Sequence, residues 1–173
     1  MTRAETHRLM CWVLEQRKAN QAALVHARHA LKLHLVSGDR LGPANSLNSL
    51  GWCHALLGHF QQTLVCCRRA LRILEGTDYT QATANTRDSI GYACFQLGLY
   101  DQALEHYQYA IELFRRLDYR HSLAGTLDHV GDIHLQAGQI TQAGTAWTGA
   151  LDIFRGLEDP GAERVLEKLA QLR

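Results

Sequence analysis

The chain has 173 residues, 46% of them hydrophobic and 20% charged, with a formal net charge of +1, enough for one domain or one array of repeats. Apolar residues come in twos and threes, so no stretch approaches the ~20 needed to cross a bilayer, and Met1-Thr2-Arg3-Ala4-Glu5 lacks the apolar core of a signal peptide. Near-neutral charge without a basic tract argues against direct nucleic-acid binding, and five cysteines without framework spacing suit a reduced, cytoplasmic protein.

With only two prolines in the chain, long helices can run uninterrupted. Residues 4–40 are expected to form a first, degenerate helical pair, with Cys11 and Lys18 standing where later units have glycine. Residues 41–80 form the first regular unit. Leu47, Leu50, Gly51, His54 and Leu57 fall at spacings of three and four, on one face of a helix. Gly58 stops that helix, because glycine accepts the left-handed conformation at no steric cost. A second helix then carries Phe60, Leu64, Cys67, Leu71 and Leu74 on one stripe. Residues 81–120 repeat the pattern: Ser89-Ile90-Gly91-Tyr92 answers Ser49-Leu50-Gly51-Trp52, Gly98 answers Gly58, and the stripe is Tyr100, Leu104, Tyr107, Ile111 and Phe114. Residues 121–158 repeat it again with His129-Val130-Gly131-Asp132, Gly138, and the stripe Ile140, Trp147, Leu151 and Phe154. These columns return every 40 residues, as do Ala30, Ala70, Ala110 and Ala150.

Residues 159–173 read as a capping helix, with Asp159 as N-cap, Pro160 at the first helical position, and Val165, Leu166, Leu169 and Leu172 on its apolar face. The expected fold is therefore all-α, a solenoid of four antiparallel helix pairs plus a cap, about nine helices. One hairpin cannot bury its own stripe, so neighbours must stack. Gly51, Gly91 and Gly131 would let paired helices approach closely, while Gly58, Gly98 and Gly138 would close the turns.

At these residues the chain resembles the tetratricopeptide repeat (TPR) family. Leu57-Gly58-x-Phe60, Leu97-Gly98-x-Tyr100-x-x-Ala103 and the recurring alanines are similar to its pattern of ordered small and large residues, in a variant longer than the usual ~34-residue period. The resemblance implies a right-handed superhelix. The junctions Ser37-Gly38-Asp39-Arg40-Leu41-Gly42 and Ser46-Leu47-Asn48-Ser49-Leu50-Gly51 further resemble the C-terminal TPR region of large bacterial antibiotic-pathway regulators of the SARP type, in which DNA-binding and NB-ARC ATPase domains precede the repeats. Usage of 15 arginines against 3 lysines suits a GC-rich bacterial genome. This likeness implies a regulatory or signal-sensing module of a transcription regulator of secondary metabolism. Thr63, Arg87 and Asn20 depart from the family's small or apolar residues.

The first helix of each unit is expected to line a concave groove for a protein or peptide. Its residues would be Glu5, Arg8 and Trp12; Asn45, Asn48 and Trp52; Asn85, Asp88 and Tyr92; Gly125, Asp128 and Asp132. Asn48, Asp88 and Asp128 form a ladder able to bond the amides of an extended peptide. Trp12, Trp52 and Tyr92 form an aromatic column with little rotamer entropy to lose. Asp88, Asp128 and Asp132 make an acidic end favouring a basic ligand and repelling the carboxylate that chaperone-binding TPR domains hold. The plain alternative is an exposed helix face solvated by these residues.

Residues 1–40 carry seven Lys/Arg against three Asp/Glu, whereas 121–173 carry four against seven. That gradient suits head-to-tail self-association or docking of a charged upstream domain. No phosphate loop or His-Glu-x-x-His pair is present. His26, His29 and His34 read as surface residues, Cys66 and Cys67 point about 100° apart on a helix, and no metal, cofactor or catalytic site is expected. A second reading is a stand-alone receptor for a short signalling peptide or small ligand, resembling TPR quorum-sensing regulators with similarly long repeats.

Overall fold

The computed structural model describes residues 2–172 and is all-helical. Among the described residues there are nine helices: α1 (Arg3–Gln16), α2 (Asn20–Leu35), α3 (Leu41–Leu56), α4 (Phe60–Leu74), α5 (Thr80–Gln96), α6 (Tyr100–Arg116), α7 (Arg120–Gln136), α8 (Ile140–Gly156) and α9 (Gly161–Ala170). The chain is a TPR-like solenoid. Helices pair as α1/α2, α3/α4, α5/α6 and α7/α8, each pair stacks on the next, and α9 packs on α8. No described helix is long and apolar enough to cross a membrane.

The glycines of the odd helices sit where two helices touch. A Cβ built on Gly51 would lie 2.5 Å from Cys67 Sγ, and one on Gly91 would lie 2.7 Å from the Tyr107 ring. At Gly131 it would run into the Trp147 indole. The large partner grows along the chain, from Cys67 to Tyr107 to Trp147, and each is buried. The first pair solves the same contact with the sizes exchanged. Cys11 occupies the glycine register and Ala27, 40 residues before Cys67, occupies the large one; both are buried. The degenerate unit thus fills this contact with a summed volume near that of the adjacent Gly51–Cys67 pair, as close-packed interiors require.

The turns follow from backbone chemistry. Gly58, Gly98 and Gly138 hold φ of 78°, 73° and 72°, and in each turn two amides satisfy the last carbonyls; for example, Leu99 N donates to Cys94 O and Gly98 N to Phe95 O, both at 2.9 Å. Lys18 takes this left-handed role in the first pair with φ 57°, a conformation that costs a non-glycine residue.

Residues that depart from the family pattern are accommodated. The buried Thr63 hydroxyl contacts Gly51 O at 3.0 Å and His59 O at 3.3 Å. Asn20 donates to Leu56 O at the end of α3. Arg87 lies 4.5 Å over the Tyr109 ring. Two expectations need correction. The helix α9 starts at Gly161, one residue late, although Asp159 Oδ1 accepts from Gly161 N at 2.7 Å. Ile140 is exposed, not part of a buried stripe, because α9 has 10 residues against the 17 of α7 and stops short of it.

Candidate functional site

The odd helices line a groove floored by small and polar side chains. Two adjoining hollows share Asn48 and Asn85. One, of about 540 Å³, also takes in Asn45, Asp78, Tyr79 and Arg8. The other, of about 330 Å³, is bounded by Trp52, Asp88, Gly125, Thr126, His121 and His129. Asn45, Asn48 and Asn85 are each partly exposed. Among the described residues, the side chains of Asn45 and Asn85 bond to no other protein group, and Asn48 Oδ1 receives only a long contact from Cys67 Sγ at 3.6 Å. Three carboxamides, each offering donor and acceptor, are therefore free to meet a peptide backbone.

The carboxylates of the expected ladder behave differently. Asp88 Oδ1 accepts from Thr126 Oγ1 of the next pair at 2.7 Å. Asp128 is buried at 2% exposure, with Arg164 Nη2 3.0 Å from its Oδ2 and Lys168 Nζ 2.7 Å from its Oδ1. Lys168 also meets Asp132 Oδ1 at 2.6 Å. Asp128 is thus closed off from a ligand, whereas the Asp132 side chain stays 26% exposed beside Lys168, and the cations of the capping helix offset the charge of both. Lys168 stands 40 residues beyond Asp128, so α9 supplies the next rung of the ladder as a cation that closes it.

The aromatic column also shifts by one position. Trp52 and Tyr92 meet in a tilted contact at 5.4 Å between ring centroids, and Tyr92 meets His129 the same way at 5.3 Å. His129 in turn stacks on buried Tyr107 at 5.9 Å. Trp12 stands apart, 58% exposed, over a smaller hollow with Arg8, Leu9, Cys11, Glu15 and Ser49. Glu5 and Arg8 are exposed; Glu5 is engaged in a capping box with Thr2.

Burial raises the Asp88 carboxyl above its ordinary range, opposed by the nearby His129 charge and the Thr126 hydrogen bond. Between the ordinary and the raised value the folded chain holds a proton that the unfolded chain has lost, so stability falls as pH rises through that window. Asp88→Asn keeps an acceptor for Thr126 and removes the charge. It should raise the denaturation midpoint at neutral pH, with the gain fading as pH drops below the ordinary carboxylate range. A gain that grows on acidification would contradict the assignment.

The cysteines show no framework spacing in the sequence, but two of them converge in the fold. Cys11 Sγ and Cys53 Sγ are 3.4 Å apart, and Glu15 Oε1 lies 3.1 Å from the first and 3.3 Å from the second. Cys11 and Glu15 sit one helical turn apart on α1, and Cys53 joins them from α3.

Comparison with solved structures agrees with the architecture. A Rap protein complexed with Competence and Sporulation Factor superposes with TM-score 0.85 at 17% identity, over 96% of this chain and 47% of that one. The apo form of RapI gives 0.81 at 17%, over 99% and 63%. BtubC (BKLC) from P. vanneervenii gives 0.80 at 17%, over 97% and 70%. The chain thus spans about half to two-thirds of the two Rap structures. No protein-family model and no curated protein sequence matches it. At such identities the likeness is one of fold.

Proposed function

We propose that this chain is a protein- or peptide-binding module whose groove holds an extended segment over Asn45, Asn48 and Asn85, with Trp52 and Tyr92 as apolar anchors. The observation that carries this reading is the row of carboxamides, Asn45, Asn48 and Asn85, that lines two adjoining hollows, with Trp52 bounding the second and Tyr92 tilted against it at 5.4 Å between ring centroids. Amide side chains recognise backbone in any sequence, and the aromatic rings add area at low entropic cost. The likeness to a Rap protein solved with a bound factor supports it.

Within that reading, the resemblance to antibiotic-pathway regulators supports a regulatory role in the cytoplasm beside ATPase and DNA-binding domains. The Rap complex favours the second reading, a receptor for a short signal. The upstream reading frame distinguishes the two settings.

A displayed library of short random peptides, selected on the full chain, tests the groove directly. Enriched peptides should bind Asn48→Ala/Asn85→Ala about 5- to 150-fold more weakly, since each lost hydrogen bond is worth about 0.5–1.5 kcal/mol. Equal affinity for both proteins, with unchanged folding, would remove the groove from consideration.

A further inference from the structure

We propose that Cys11, Glu15 and Cys53 form a binding site for a thiophilic divalent cation of the zinc class, clasping the first helix pair to the second. The donor set is soft and anionic when deprotonated, two thiolates and one carboxylate, which selects zinc-like ions over magnesium or calcium. Its geometry is close to one face of a coordination tetrahedron. With metal–sulfur bonds of about 2.3 Å and metal–oxygen bonds of about 2.0–2.2 Å, tetrahedral angles place two sulfurs about 3.8 Å apart and sulfur and oxygen about 3.5 Å apart. The three separations here are 3.4, 3.1 and 3.3 Å, so the ligands need only spread by a few tenths of an ångström.

Packing supports the same assignment. Both thiols are buried, at 1% and 0% exposure, while Glu15 is partly exposed. The hollow beside the cluster is lined by Cys11 and Glu15, with Arg8, Leu9, Trp12 and Ser49 around them. An ion there would have an entry path and three protein ligands, with the fourth tetrahedral position taken by a solvent oxygen from that hollow. Without an ion, the Cys11 and Cys53 thiols both donate to Glu15 Oε1, at 3.1 and 3.3 Å; a cation would take the place of those two protons. Binding releases one proton from each thiol to solvent and forms two metal–sulfur bonds and one metal–oxygen bond, with no change of oxidation state.

The odd position of Cys11 gains a reason in this light. It replaces a packing glycine in the one pair whose facing residue, Ala27, leaves room for it. The ion would bridge adjacent repeats at the end of the groove, so its loss would loosen α1 from α3 without touching the later pairs.

Cobalt(II) is the probe, added to the full chain reduced by a phosphine under argon. One equivalent should produce thiolate-to-cobalt charge-transfer absorption in the near ultraviolet and visible ligand-field bands of tetrahedral intensity, and zinc(II) should bleach both. Zinc should also raise the melting temperature, because an ion bound only to the folded state stabilises it. Cys53→Ala should abolish the charge-transfer bands and Glu15→Gln should weaken binding, whereas Cys94→Ala should change neither. If Cys53→Ala does not fold, mapped alkylation of the unaltered chain decides: zinc should protect Cys11 and Cys53 selectively over Cys66. Absence of cobalt bands in the reduced chain overturns the proposal, as does their survival in a folded Cys53→Ala variant. So does recovery of the pair only as a disulfide, 2 Da lighter, from protein that binds no cobalt once reduced.

Discussion

Gly91→Leu should destabilise the chain by about 3 kcal/mol or more, read as a lowered denaturation midpoint with an unchanged slope. The position has no spare volume: even a methyl group there would meet Tyr107 Cδ1 and Cε1 at 2.7 Å, and the tyrosine is wholly buried, so it has nowhere to turn. Overpacking a filled core costs about 1–3 kcal/mol and more where neighbours cannot shift. Helix propensity acts in the opposite direction, favouring leucine by nearly 1 kcal/mol, so the sign of the result separates packing from backbone effects. Gly125→Ala is the matching control. It lies in the interior of α7 with nothing within 4 Å of an added Cβ, and should stabilise by about 0.5–1 kcal/mol. The first helix pair suggests a rescue. Tyr107→Ala alone should cost about 3–5 kcal/mol through the cavity it leaves. Combined with Gly91→Cys, it recreates the Cys11–Ala27 arrangement and should cost less than the two single changes added together. Strict additivity would mean that these residues do not share one packing space.

These positions were legible because packing at a helix crossing depends on size, and size is written in the sequence at a fixed interval. Gly51, Gly91 and Gly131 could be aligned by register alone, as could the stripe residues that fill the space they leave. Polar geometry across repeats is another matter. Asp88 reaches Thr126, 38 residues on, while Asp128 reaches Arg164 and Lys168, 36 and 40 residues on. Which of these offsets pairs depends on side-chain length, rotamer and the local twist between helices, none of which a periodicity specifies. The same holds for His129, which completes the aromatic column in place of Trp12, and for Cys53, brought to the Cys11–Glu15 turn of α1 by the stacking of α1 on α3. The sequence does carry one such signal: Lys168 falls in the register of Asn48, Asp88 and Asp128, and a cation following two acids in one column is a pairing pattern.

Lys168→Met should destabilise the chain by about 2–3 kcal/mol, with the loss concentrated at the C-terminal end. The Asp128 side chain is 3% exposed, and its two cationic partners both come from α9. Removing one partner of a buried pair leaves an uncompensated charge, at a cost of about 3–5 kcal/mol. Arg164 remains 3.0 Å away but is 60% exposed, so it shields part of that charge and the expected loss is smaller. Lys168 also lies 5.6 Å over the Trp147 ring, and the methionine retains most of that apolar contact. The decisive comparison is with Asp128→Asn/Lys168→Met, which removes both charges of the buried pair and leaves Asp132, 26% exposed, to solvent. If the ion pair staples α9 to α7, the double variant should recover about 1–3 kcal/mol relative to the sum of the single changes. Hydrogen exchange should show α9 and the end of α8 opening first in Lys168→Met, because local unfolding follows the weakest cooperative unit. Peptide binding over Asn45, Asn48 and Asn85 should be unaffected in the double variant, since none of these residues touches the pair. A loss of binding there would mean that the capping helix shapes the whole groove, and that the rungs at Asp88 and Asp128 act as a single strap along it.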